Sequence, residues 1–328
     1  MTSVPSSTRQ RDLSAWLFLA PYLVLFGTFV LAPIGYGLWI SLHSWDCMLP
    51  NKPFVGLENY ANLLDPGSVS FGPFWDSMRA TGIFTVASVP LLLVVPLGVA
   101  LVMNANFRGR NLVRAIYFAP YVLGVAVIGV VWRFLLDTNI GAVNALLGAV
   151  GLPADTAWLS SLPAAWVALV GVTVWWTLGF NAVIFLAGLQ DIPRELYEAA
   201  RVDGASSWQA FLHVTLPGLR QVTAFVTTIT IIASANMFGQ SYVMTDGAPG
   251  QDTRTAIFYI AGTGLQNFQM GQAAAMSWIL TLALVLLSLA VFAVFRDRSG
   301  GRCREGTASC RSGAVDPALR QPARLHGD

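Results

Sequence analysis

The chain has 328 residues, of which 55% are hydrophobic and 11% charged, and its net charge is +2. Soluble domains carry about 25% charged residues, so this composition, with a mean hydropathy of +0.60, excludes an ordinary soluble globule and points to a polytopic membrane protein. The arginines are divided among separate loops with no aromatic-rich basic surface, which excludes a nucleic-acid-binding role.

A hydrocarbon core needs about 20 residues of helix. Six stretches are long and apolar enough: Ala15–Leu42, Thr81–Met103, Ala115–Trp132, Ala164–Leu189, Val222–Met244 and Ala273–Phe295. The first is too long for a cleaved signal peptide and lacks a small-residue cleavage site, so it reads as a retained span. The fifth is the most polar, because nine of its 23 residues are Ser, Thr, Asn, Gln or Tyr. If that span is a regular helix, Thr223, Thr227, Thr230, Ser234 and Ser241 form one stripe, suited to packing through small residues. Asn236 and Gln240 share a separate face, and Gly239 between them offers a place for the helix to distort.

Between the fourth and fifth spans lies a polar segment, 191–219, with the sequence DIPRELYEAARVDGASSWQAFLHVTLPGL. Asp191 is placed to cap a first helix, Pro193 fits its first turn, and Gly204 stops it. Ser206 and Gln209 form a capping-box pattern for a second helix, which ends or kinks at Pro217. Arg194 with Glu198, and Glu198 with Arg201, have the spacing of pairs on one helical face. The expectation is a helix-turn-helix.

Charge sets the orientation. With the N-terminus inside, Arg9, Arg11, Arg108, Arg110, Arg114, Arg194, Arg201, Arg220 and the seven arginines from Arg296 onward are cytoplasmic, against Lys52, Arg79, Arg133 and Arg254 outside. This positive-inside bias puts both termini and the 191–219 segment in the cytoplasm. The expected domains are a cytoplasmic segment over 1–14, a six-span region over 15–295 and a disordered cytoplasmic tail over 296–328.

Several chemistries lack their residues. Lys52 is the only lysine, so there is no phosphate-binding lysine of an ATPase. His43, His213 and His326 lie outside the spans, Cys47, Cys303 and Cys310 lack ligand spacing, and no metal, cofactor or catalytic group is expected. The six spans hold no Asp, Glu, Lys, Arg or His, which weighs against an ion-coupled secondary transporter of a small polar solute; sodium sites built from carbonyls and hydroxyls stay open as an alternative. Energy for transport then has to come from another polypeptide.

Glu198-Ala199-Ala200, Gly204, Val214, Leu216 and Pro217 resemble, in identity and spacing, the EAA loop of membrane subunits of ABC importers. Phe54-Val55-Gly56-Leu57-Glu58-Asn59-Tyr60 is similar to the F-x-G-L-x-N-Y signature of the carbohydrate type; locally, Gly56 permits a turn and Phe54 and Tyr60 are expected to bury their rings at the membrane surface. Further agreement comes from 119–147, with Trp132, Gly141 and Asn144, and from the approach to the loop through Trp176, Gly179, Phe185 and Gly188. After the fifth span the chain reads Met244-Thr245-Asp246-Gly247-Ala248-Pro249-Gly250, with Ala248 in place of the family's second glycine. The resemblance covers roughly 13–296 and is strongest to maltose and glycerol-phosphate importer permeases.

It implies an all-α polytopic permease with six transmembrane helices and the type I ABC importer fold, in the bacterial cytoplasmic membrane, with no enzymatic site of its own. Implied partners are a second homologous permease, an ATP-binding-cassette ATPase dimer, an extracytoplasmic solute-binding protein, membrane lipid and a sugar-like substrate. In the family the first helix of the loop docks in the ATPase, so Glu198, Ala199, Ala200, Asp203, Gly204, Leu216 and Pro217 are the implied coupling residues. A sugar needs hydrogen-bond partners along its route. Asn181, Asn236 and Gln240 are the expected solute contacts, with Trp176 and Tyr242 as rings able to stack on a sugar face.

Overall fold

The computed structural model describes residues 7–105 and 108–296, and the expected tail falls outside them. Among the described residues the regular secondary structure is helical apart from two isolated bridges, His43 with Phe54 and Asp46 with Gln269.

α1 (Ser7–Phe26) runs through a π-helical turn at Gly27–Leu31 into α2 (Ala32–Ser41). A short α3 (Glu58–Leu64) leads to α4 (Phe71–Asn104), a helix of 34 residues. α5 (Arg110–Val122) and α6 (Val125–Leu135) meet at 97°. After α7 (Ala142–Ala149) comes α8 (Ala164–Gln190). The polar segment holds α9 (Arg194–Val202), α10 (Ser207–Ala210) and α11 (Leu216–Gly218), and turns by 66° into α12 (Arg220–Ala235). α13 (Ala256–Ala261) and α14 (Met270–Arg296) complete the chain.

Among the described residues, four helical stretches are long and apolar enough to cross a membrane: Phe18–Ser41, Phe71–Asn104, Ala164–Gln190 and Met270–Ala293. The expected second span starts too late. α4 begins ten residues before Thr81 because Phe74, Ser77 and Ala80 give a buried side to a turn whose Asp76 and Arg79 are exposed, a pattern average hydropathy does not register. The expected third span is not one straight helix, since α5 starts at Arg110 and the chain breaks at Leu123–Gly124. The fifth is interrupted beside Gly239, the place the sequence offers for a distortion, and is not one regular helix. α12 stops at Ala235 and helix resumes only at Gly239, continuing as a π-helical turn over Ser241–Thr245.

Unpaired backbone groups are expensive in hydrocarbon, so such breaks persist only where side chains replace the lost partners. Trp176 Nε1 donates to the carbonyl of Leu123 at 3.1 Å. At the second break Asn236 Nδ2 donates to Ile232 O at 2.8 Å, and the Thr255 hydroxyl donates to Met237 O at 2.6 Å.

The two broken regions lock together through small residues. A Cβ on Gly239 would lie 2.6 Å from Val125 Cγ2, and one on Gly129 would lie 2.8 Å from Val243 Cγ1. Each glycine admits a valine of the other strand of chain. Around this contact α4 packs most extensively on α8 and then α12, giving a core with Phe84, Ile128, Leu169 and Met244 toward one end and Met103, Phe185, Leu189 and Leu219 toward the other.

Gly56 has φ +60° as a turn glycine would, and Phe54, 69% exposed on the protein, sets its ring edge-on to His43. In the loop after the fifth span, the left-handed residues are Asp246, Gly247 and Gly250, so Ala248 sits where no glycine freedom is needed.

Candidate solute cavity and coupling surface

A cavity of about 660 Å³ opens between α5, α8 and the break after α12. It brings together Trp176, Asn181, Asn236 and Gln240 of the expected solute contacts, and leaves Tyr242 out. Tyr242 is 44% exposed and stacks on Phe238 at 5.3 Å, with Phe258 edge-on to both rings, so it supports a wall residue from behind.

Each polar wall residue has a local task. Asn181 is 2% exposed and donates to Leu92 O at 3.1 Å. Gln240 is 5% exposed and its Nε2 stands 3.5 Å from Thr173 Oγ1, a long contact that leaves the amide lightly held. Asn236 is exposed and caps α12, and Trp176 caps α5. The carboxamides reach one cavity because the helix is interrupted between them, not because a regular helix aligns them.

The Thr/Ser stripe packs as small polar residues do between helices. Thr227 and Thr230 return their hydroxyls to carbonyls of the preceding turn, and Ser88 Oγ on α4 donates to Ser234 Oγ at 3.1 Å. Thr230 and Ser234 also reach the cavity wall, so packing face and cavity face overlap.

Sequence reasoning missed the aromatic wall. Tyr121 and Phe180 stack at 4.9 Å and line the cavity with Phe225 and Phe238. Tyr121 precedes a break that no hydropathy pattern marks; its one signal was the neighbouring Pro120 and Gly124. No charged side chain lines the cavity among the described residues. The wall offers hydroxyls, carboxamides and ring faces to an uncharged polar solute.

The polar segment forms a second surface. Asp191 belongs to the end of α8, and α9 starts at Arg194 with Pro193 before it, so the expected cap at Asp191 is corrected: proline at 193 holds an extended φ/ψ and delays the helix. The stop at Gly204 is present. Its φ is +75°, its amide donates to Arg201 O at 3.1 Å, and the Ala205 amide donates to Ala200 O at 2.9 Å. The capping box is present too, with Ser206 N donating to Gln209 Oε1 at 2.7 Å and Gln209 N to Ser206 Oγ at 3.3 Å.

Inward residues tie this segment to the bundle. Ile192 and Leu219 are buried with Phe185 and Leu189, and the Tyr197 and Thr215 hydroxyls are 3.0 Å apart. Gly218 lets the chain press on Ile192, where a Cβ would lie 2.8 Å from Cδ1. Glu198, Ala199, Asp203, Gly204, Leu216 and Pro217 are exposed, and Ala200 is partly buried.

Residues 69–296 match the family described as binding-protein-dependent transport system inner membrane component. The chain belongs to that family. It is therefore a permease subunit of an ABC importer and a multi-pass protein of the inner membrane. It is 34% identical over 285 residues to the trehalose/maltose transport system permease protein MalF of Thermococcus litoralis, covering 86% of this chain and 94% of the relative. It is 33% identical over 299 residues to the arabinooligosaccharides transport system permease protein AraP of Bacillus subtilis, covering 87% and 92%. Its fold is similar to a chain of the bacterial alginate ABC transporter solved with a pentasaccharide-bound periplasmic protein, with TM-score 0.74, 21% identity and coverage of 89% and 96%.

Proposed function

We propose that this permease moves a saccharide or sugar-like solute through the cavity between α5, α8 and α12. In this reading it works beside a second homologous permease, above an ATPase dimer and below an extracytoplasmic solute-binding protein. The α5–α6 pair and α12 with residues 239–245 count as one crossing each, giving six spans with both termini cytoplasmic. The excess of arginine on that side supports this orientation.

The observation that carries the coupling role is the two-sidedness of residues 192–219: buried Ile192 and Leu219, with partly buried Tyr197 and Val214, anchor the segment to α8 and α12, and an exposed outer side presents Glu198, Ala199 and Gly204. A push on such a part is transmitted to the helices that line the cavity. For the solute, the support is the set of relatives named for trehalose, maltose and arabinooligosaccharides, together with a wall of rings and carboxamides.

The test is the ratio of solute moved to ATP hydrolysed in the reconstituted importer. Gly204→Val forces a β-branched residue into the left-handed region, and Glu198→Ala removes the exposed carboxylate. Both variants are expected to insert and to lower transport per ATP. An unchanged ratio in both would remove the coupling assignment.

A further inference from the structure

A second polar cavity, of about 690 Å³, lies apart from the solute path at the ends of α4 and α8, where Asn104 and Gln190 border it. Arg110, Arg114, Arg194 and Arg201 line it, with Glu198 as the one carboxylate among its described lining residues. Arg114, Arg194 and Arg201 against that one carboxylate already leave a surplus of positive charge in one concavity.

Helix stability alone opposes this arrangement. Arg110 and Arg194 are the first residues of α5 and α9, where the helix dipole disfavours a cation. Neither helix start has a side-chain cap, the N-cap positions being Gly109 at φ +91° and Pro193. Arg114 adds a buried donor: its Nη2 reaches Met103 O at 3.3 Å, whereas its Nε is buried with no hydrogen-bond partner. Such a donor carries a desolvation cost until it meets an acceptor.

Surplus charge, two uncapped helix starts and an unanswered Nε share one remedy, an anion with several acceptor oxygens. Guanidinium forks match phosphate oxygens, and helix N-termini bind the same group. We infer that this cavity binds a phosphate-bearing group, either the headgroup of an anionic phospholipid or a soluble phosphate ester. Its position at the ends of two apolar helices suits the first source, and its exposed arginines suit the second. The occupant bridges the start of α5 to α9 and so braces the helix that carries Glu198. Binding is a property of this chain itself and stands whether or not the 192–219 segment couples to an ATPase.

The experiment uses the full chain in phosphatidylcholine nanodiscs, alone and assembled with its partner subunits. One arm adds phosphatidylglycerol to the nanodisc and reads retained lipid by native mass spectrometry. The other adds glucose 6-phosphate and reads the thermal shift. Arg114→Gln and Arg194→Gln are each expected to weaken binding about tenfold, the loss of one charge-assisted contact. Arg108→Gln, outside the cavity lining, is expected to leave it unchanged. Retained lipid identifies the headgroup and a shift with the ester identifies the soluble source; either supports the site. Absence of both in the wild-type chain, or equal binding by all three variants, overturns it. Binding that vanishes once the ATPase is assembled assigns the arginines to a protein contact and overturns it as well.

Discussion

Asn181 Nδ2 donates to the main-chain oxygen of Leu92 at 3.1 Å, and Leu92 lies four residues before Pro96, whose nitrogen has no hydrogen to offer it. A proline inside α4 thus leaves a carbonyl unpaired in the bundle, and a carboxamide from α8 repairs it.

Asn181→Ala is expected to destabilise the detergent-solubilised chain by about 1–3 kcal/mol, the cost of a buried group left without a partner. Adding Pro96→Ala restores an amide four residues after Leu92 and is expected to recover most of the loss. Thermal unfolding of the single and double variants checks this, and an absence of recovery would detach Asn181 from the proline.

Asn181 and Asn236 are recognisable in the sequence as polar groups in apolar surroundings, and Trp176 as a ring able to stack on a sugar face. Their backbone partners were not recognisable. Leu123, Leu92 and Ile232 need those donors only because of a break, a proline and a helix end, and for Leu123 and Leu92 the donor lies on another helix. The helix-turn-helix was legible down to its capping box because Ser206, Gln209 and Gly204 act through neighbours in sequence. The break in the third span is not, since tertiary packing of Gly239 on Val125 and Gly129 on Val243 stabilises it; in the fifth span Gly239 marks the place, but the same packing sets the extent of the break.

Glycine substitutions separate close approach from flexibility. A Cβ on Gly179 would lie 2.4 Å from Tyr117 O, against backbone that cannot swing aside, whereas one on Gly35 meets nothing within 4 Å. Gly179→Ala is expected to cost about 1–3 kcal/mol, as overpacking does, and Gly35→Ala to be neutral or mildly stabilising. Fluorescence-detected thermal stability of the purified chain distinguishes them.

Gln240→Ala and Asn236→Ala are each expected to reduce uptake of the carried sugar about two- to tenfold, the worth of one net hydrogen bond. Copurification with the partner subunits is expected to be unaffected. Unchanged uptake across related sugars would place the solute elsewhere.

Asp137, just beyond α6, accepts hydrogen bonds from the amides of Ile140 at 3.1 Å and Asn139 at 2.9 Å, and these hold its carboxyl below its ordinary value. A carboxylate lowered in this way favours the folded turn above its unfolded pKa, and the contribution fades as pH falls through the folded value. Protection of the Asn139 and Ile140 amides, their exchange measured relative to the intrinsic rate at each pH, is therefore expected to fall on acidification below the usual carboxylate range, and Asp137→Ala is expected to abolish that pH dependence.

The most direct test of the transport mechanism is labelled-saccharide uptake into proteoliposomes containing this permease, its partner permease and the ATPase, with the binding protein on the opposite side from the ATPase. Uptake is expected to require ATP and to persist when proton and sodium gradients are collapsed. Uptake driven by an ion gradient with no ATP present would contradict the account.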